Sequence, residues 1–228
     1  MAYYHCKPIN IRAVAKSLMS MDKNELKELL TNVKKLKQVV FGKDIDYLEP
    51  HTSTHGEKWV YAAKQEVLSL LFGSSKSHGD FDGIINVNEN GKVVFKEAFE
   101  GSFKERFNGE KCVLFEVDES NFEEGKTSFS GEVVSSKPAK VTRRKRINNV
   151  YAELNAAIER GDFELETYKK GDPDYEAEIE QHIASRIKSY GILDKKDKAE
   201  YKFCQKHFPQ IMKSLEQEAS LSDSGPTI

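Results

Sequence analysis

The chain of 228 residues is long enough for one large domain, or for one domain with an appendage. Charged residues make up 32% of it and the net charge is −2, which excludes a global attraction to nucleic acid, so any such binding must be local. It contains no run of about 18 apolar residues, the minimum for a membrane-spanning helix. Three widely spaced cysteines (Cys6, Cys112 and Cys204) indicate reduced thiols, and the amino terminus lacks the layout of a signal peptide, so we expect a cytoplasmic protein.

The first 63 residues predict a strand, two helices and a second strand. The stretch "AYYHC" is typical of a short strand that ends before Pro8. Helical spacing of apolar residues follows in "NIRAVAKSL" and in "MDKNELKELLTNVKKLKQVVFG", which ends at Gly42. Residues 51–63, "HTSTHGEKWVYAA", place two histidines and three hydroxyl groups directly ahead of an aromatic strand that contains Trp59 and Tyr61. This segment is either an ordinary loop that enters a sheet or the wall of a site.

The middle of the chain predicts a short helix, a hairpin and further strands. "KQEVLSLLFG" is helical and closes at Gly73, and in "IINVNENGKVVFKEAF" apolar runs flank Asn90 and Gly91. That dipeptide is suited to a tight turn in which both residues have positive φ. "CVLFEVD" predicts a strand, and "EVVSSKPAKV" predicts an edge strand because Pro138 cannot donate to a ladder. From Arg146 onward the apolar spacing is helical.

These elements predict an α+β protein in two parts. We expect a β-rich body over residues 1–146 and a helical segment over residues 147–218 that packs on it. We expect a disordered tail over residues 219–228, whose composition is small and polar. No cysteine, histidine or carboxylate spacing resembles a zinc or calcium site, so no metal is expected.

The stretch "KPAKVTRRKR" concentrates six basic side chains in ten residues. Two interpretations are open: a solvated, basic start of the following helix, which we favour, and a patch that contacts phosphates of a nucleic acid. The six side chains are those of Lys137, Lys140, Arg143, Arg144, Lys145 and Arg146.

Taken singly, the candidate site residues have ordinary explanations in a core or on a surface, but their order along the chain is distinctive. A histidine (His5) ends the first strand, an aromatic strand with Tyr61 leads into a helix that ends at a second aromatic residue (Phe72), and a glutamate follows on a later strand. This order resembles the ADP-ribosyltransferase fold in its His-Tyr-Glu branch. Across most of its length the chain is similar to uncharacterised bacterial proteins. The resemblance implies split antiparallel β-sheets with inserted helices.

The resemblance also implies roles for these residues, with NAD as the substrate that supplies ADP-ribose. A carboxylate stabilises the positive charge that develops at the anomeric carbon, and that residue would be Glu97, with Glu100 as the fallback. His5 would bond a ribose hydroxyl and the amide region of NAD, while Tyr61 and Phe72 would stack on the nicotinamide ring. The polar residues expected to line the same pocket are Thr52, Ser53, Thr54 and His55.

The expected function is therefore transfer of ADP-ribose to a nucleic acid or a protein, for example by a bacterial or phage toxin or defence effector. The alternative is a non-catalytic module that binds a nucleotide or a partner on the same fold. A third possibility, an enzyme similar to RNA 2′-phosphotransferases, needs a cluster of arginines, and before residue 137 the chain has only Arg12 and Arg106.

Overall fold

The computed structural model describes residues 3–9, 16, 18–26, 45–52, 56–76, 81–127 and 129–223. They divide into two compact units, the first over residues 1–75 and 108–159 and the second over residues 76–107 and 160–228. The two helices predicted between residues 10 and 42 lie largely outside the described residues. The start of the second helix is described: Asp22 accepts hydrogen bonds from the amides of Asn24 and Glu25, and Glu25 accepts one from the Asp22 amide. This reciprocal pairing is a capping box.

The first unit is built on an antiparallel sheet with one short helix against it. The strands follow the order β2-β10-β7-β1-β4-β9-β8, and β3 pairs with β4. The bounds are β1 (Tyr3–Pro8), β2 (Tyr47–Leu48), β3 (His51–Thr52), β4 (Lys58–Ala63), α1 (Glu66–Leu70), β7 (Cys112–Val117), β8 (Glu123–Glu124), β9 (Glu132–Ser135), β10 (Ala139–Ile147) and α3 (Val150–Arg160).

Successive side chains of each strand point to opposite faces of the sheet, so one set packs in an apolar cluster and the other lies on the opposite face. On β4, Val60 and Ala62 point into an apolar cluster with residues of β1, β7 and β9, whereas Trp59 and Tyr61 lie on the opposite side and stay half exposed. The α1 helix covers part of β1, and the hydroxyl of Ser69 donates to the Tyr4 carbonyl at 2.7 Å. The helix is thereby held against the first strand.

The second unit contains a smaller sheet in the order β11-β6-β5 and the carboxy-terminal helices. The predicted hairpin is confirmed, but its predicted turn is wrong, because Gly91 has positive φ and Asn90 does not. The Asn88 side chain accepts from the amides of Asn90 and Lys92 and so supports a longer loop. The bounds are β5 (Gly83–Val87), β6 (Val93–Glu97), α2 (Ser102–Phe107), β11 (Phe163–Glu166), α4 (Pro173–Ser189), α5 (Ala199–His207) and α6 (Pro209–Asp223).

The chain is thus α+β, as predicted, but the predicted boundary after residue 146 does not coincide with the division into units. The hairpin and α2 belong with the carboxy-terminal helices, because β6 pairs in parallel with β11. The basic stretch is not the start of a helix: β10 continues as a strand to Ile147. Within the predicted tail, residues 219–223 are the last residues of α6. No helix in the described part of the chain is both long and apolar enough to cross a membrane.

Candidate functional site

A cavity of about 270 Å³ lies in the first unit, beside the α1 helix and the neighbouring strands β1, β4 and β9. Its walls combine aromatic rings, two imidazoles and a carboxylate, which is the mixture typical of sites that bind polar ligands with flat rings. The residues that line it are Tyr4, His5, Cys6, His51, Tyr61, Ala62, Ala63, Leu68, Ser69, Phe72, Phe129 and Glu132.

His5 is fixed in this wall by a hydrogen bond to the neighbouring strand. Its Nδ1 lies 2.8 Å from the carbonyl oxygen of Tyr61, and because a carbonyl only accepts, Nδ1 carries the proton. Burial of the ring lowers the pKa of His5; the bond to Tyr61 opposes this effect, and nearby His51 and Lys7 reinforce it. The ring is therefore neutral at pH 7, and its Nε2 is a hydrogen-bond acceptor for a donor group in the cavity.

The aromatic part of the cavity is formed by residues from separate elements. The Tyr61 ring lies 5.9 Å from the Trp59 ring at an interplanar angle of 62°, and 6.4 Å from the His51 ring at 59°. Phe72 follows the α1 helix and leaves 48% of its surface exposed, and Phe129 precedes β9. Tyr61 and Phe72, which were predicted to act on one ring, thus line one cavity.

Glu132 supplies the carboxylate among the residues that line the cavity. It is the first residue of β9 and pairs with Ala63, while Val134 pairs with Tyr61. Because β4 lies between β1 and β9, His5, Tyr61 and Glu132 stand on three neighbouring strands. Sequence reasoning missed Glu132: the only signal was its place at the head of the predicted edge strand, and its pairing with the Tyr61 strand is not readable from local pattern.

Glu97, the predicted catalytic carboxylate, lies at the end of β6 in the second unit and does not line the cavity. Its side chain is 5% exposed, and its two oxygens accept hydrogen bonds from the backbone amides of Phe103 at 3.0 Å and Tyr168 at 3.1 Å. Its backbone carbonyl accepts from the Tyr175 hydroxyl at 2.8 Å. These contacts give Glu97 a structural function, as the anchor of α2 and of the segment after β11. Glu100 is exposed in the turn before α2.

The polar segment ahead of the aromatic strand contributes differently from the prediction. Thr52 lies on β3 opposite Lys58, is exposed and does not line the cavity. His51, which has no special role in the sequence prediction, does line it. The predicted residues Ser53, Thr54 and His55 lie outside the described residues.

The basic stretch forms most of β10, and Arg144 and Lys145 within it are paired with carboxylates. Arg144 contacts Asp46 at 3.1 Å and the carbonyl of Ile45. Lys145 lies 3.1 Å from Glu66 and 3.4 Å from Glu153. These pairs reduce the positive field that a phosphate would meet at this strand. Contact of this stretch with phosphates stays a prediction.

In the described part of the chain, no group of three or more histidine, cysteine or acidic side chains is arranged to hold a metal ion. Comparison with protein-family models, with curated proteins and with solved structures gives no match. Interpretation of the cavity therefore depends on its own geometry and chemistry.

Proposed function

We propose that the chain is an NAD-dependent ADP-ribosyltransferase of the His-Tyr-Glu type and that the cavity beside β1, β4 and β9 is its site. The observation that carries the proposal is the arrangement of His5, Tyr61 and Glu132 on three neighbouring strands around that cavity. An ADP-ribosyltransferase-like fold is part of the same proposal. The acceptor is a nucleic acid or a protein.

Each residue has a role that follows from the chemistry of the bond to be broken. Cleavage between nicotinamide and C1′ of its ribose leaves positive charge on the sugar, and the carboxylate of Glu132 stabilises that charge in the transition state. His5, held neutral with Nδ1 committed to Tyr61, presents Nε2 as an acceptor to a ribose hydroxyl. The rings of Tyr61 and Phe72 stack on nicotinamide.

The size of the cavity indicates which part of NAD it would hold. Its volume of about 270 Å³ lies just below the range for ligand pockets, roughly 300–1,000 Å³. That space suits the nicotinamide and its ribose, and the adenosine half would lie on the exposed surface outside. We therefore expect nicotinamide riboside to compete with NAD, and adenosine to compete poorly.

This proposal moves the carboxylate role from Glu97 to Glu132. Both oxygens of Glu97 already accept backbone hydrogen bonds within the second unit, and a carboxylate engaged in this way cannot approach a sugar without breaking them. Glu132 lines the same cavity as His5 and Tyr61, so it can act on the same ligand.

The test is release of nicotinamide from NAD by the purified protein, with and without mixed cellular nucleic acid and protein. We expect Glu132→Gln to lower the rate about 100-fold or more, the scale for loss of a charge-stabilising group. Glu123→Gln, on the exposed strand β8, is the matched control and should leave the rate unchanged. Binding of NAD can be followed through Trp59, the chain's only tryptophan, because its ring lies 5.9 Å from Tyr61.

The possible outcomes separate the alternatives. Release that is equal in Glu132→Gln and in the wild type would mean that the carboxylate is wrongly assigned. Binding of NAD without release would favour the non-catalytic module. If the protein neither binds NAD nor releases nicotinamide, the proposal is refuted.

A further inference from the structure

A second histidine, His51, lines the proposed NAD cavity and has no role in the mechanism above. It lies on β3 opposite Trp59, its side chain is exposed, and its ring is 6.4 Å from that of Tyr61. It therefore combines contact with the cavity and access to solvent. We propose, on the basis of the proposed function, that His51 is the general base that removes the proton from the acceptor as the acceptor attacks ADP-ribose.

The other histidine of the cavity and its carboxylate are poorly suited to this task. His5 is held inside the wall by its 2.8 Å bond to the Tyr61 carbonyl, and burial disfavours its protonated form. Glu132 must stay negative while positive charge develops on the ribose, and it would lose that charge by accepting a proton. Histidine is the side chain that most often accepts a proton in catalysis. An exposed imidazole can also release its proton to water after each turnover.

The step is balanced without any further reactant. A lone pair of the acceptor oxygen forms a bond to C1′ as the bond from C1′ to nicotinamide breaks, and the electron pair of that bond leaves with neutral nicotinamide. The acceptor's proton passes to the imidazole of His51 and then to solvent. With water as the acceptor, the products are ADP-ribose, nicotinamide and one proton.

The experiment compares two acceptors that differ in whether they have a proton to lose. Water must be deprotonated during attack, whereas azide attacks as an anion and needs no base. The wild type, His51→Gln and the control His182→Gln, on α4 in the second unit, are assayed with NAD in the presence and absence of sodium azide. Nicotinamide release and formation of the azide adduct of ADP-ribose are both measured, and binding of NAD is followed by Trp59 fluorescence.

We expect His51→Gln to lower hydrolysis roughly 100-fold, within the range for loss of a general base. Formation of the azide adduct and binding of NAD should stay close to the wild-type values, and His182→Gln should behave like the wild type.

Three results would overturn the inference, and they separate it from the proposed function. If the wild type is active and His51→Gln retains full hydrolysis, the inference fails and the proposed function stands. If hydrolysis and azide transfer fall together, His51 holds the ligand and is not a base. If the wild type neither binds NAD nor releases nicotinamide with either acceptor, the proposed function fails and the inference fails with it.

Discussion

The structural role of Glu97 gives the most direct test of how the second unit is held together. Glu97→Ala removes the acceptor for the amides of Phe103 and Tyr168, which lie 3.0 and 3.1 Å from its two oxygens. Hydrogen bonds to a charged group contribute about 1.5–3 kcal/mol each, so the loss of both lowers the free energy of unfolding by about 3–6 kcal/mol. This is a large share of the roughly 5–15 kcal/mol that stabilises an ordinary domain.

The measurement is equilibrium unfolding in urea, followed by circular dichroism, because the signal must report on helices of the second unit. Glu100→Ala is the matched control, since that glutamate is exposed three residues away and its loss should change stability by no more than about 0.5 kcal/mol. A loss below about 1 kcal/mol in Glu97→Ala would refute the structural argument. A variant that stays folded but releases no nicotinamide would restore Glu97 as the catalytic carboxylate.

Three other predictions concern single contacts within the two units. Asp82→Asn removes the negative charge of a carboxylate that lies 3.7 Å from the guanidinium of Arg106, whose side chain is 3% exposed. We expect a loss of about 3–5 kcal/mol in urea unfolding, recovered in large part by the double variant with Arg106→Met. Gly73→Ala places a Cβ 2.9 Å from the sulfur of Cys6, and we expect a lower melting temperature and a loss of about 1–3 kcal/mol, whereas an unchanged melting temperature would mean that the backbone relaxes freely there. Folding lowers the pKa of His5 below its ordinary value of 6.5, so the unfolded chain binds more protons than the folded protein between the folded-state pKa and about 6.5. The free energy of unfolding should therefore fall as the pH drops below about 6.5. His5→Gln should remove that part of the pH dependence.

Local sequence pattern was sufficient to predict β1 and β4, the strands that carry His5 and Tyr61 of the cavity. The segments around His5 and Tyr61 have the β-branched and aromatic character of strands, and both form strands in the structure. The α1 helix, which ends beside Phe72, was also predicted. These three residues lie together because β1 pairs with β4, although about 50 residues separate the two strands, and because the α1 helix follows β4 directly and is held against β1.

Local sequence pattern does not predict the structural features that depend on pairing between distant segments of the chain. The basic residues of β10 lack apolar alternation and so favour the start of a helix, but this strand pairs with β2 only at Ala139 and Lys140. Beyond Lys140 no strand in the described part of the chain pairs with its outer edge, and an open edge tolerates charged side chains. Local pattern does not indicate Glu132, because only the pairing of β9 with β4 brings it to the cavity. β11 has four residues and is held by parallel pairing with β6, which no local signal predicts.

The parallel pairing of β6 with β11 also constrains the order in which the chain can fold during synthesis. β6 is the central strand of its sheet, and the β5–β6 hairpin satisfies only one of its two edges. Its other edge, along Val93–Glu97, must wait for Phe163–Glu166, a delay of about 3–13 s at a translation rate of roughly 5–20 residues per second. During that interval an apolar strand with an open edge can pair with another nascent chain. The smaller sheet can therefore be completed only after residues 163–166 have left the ribosome.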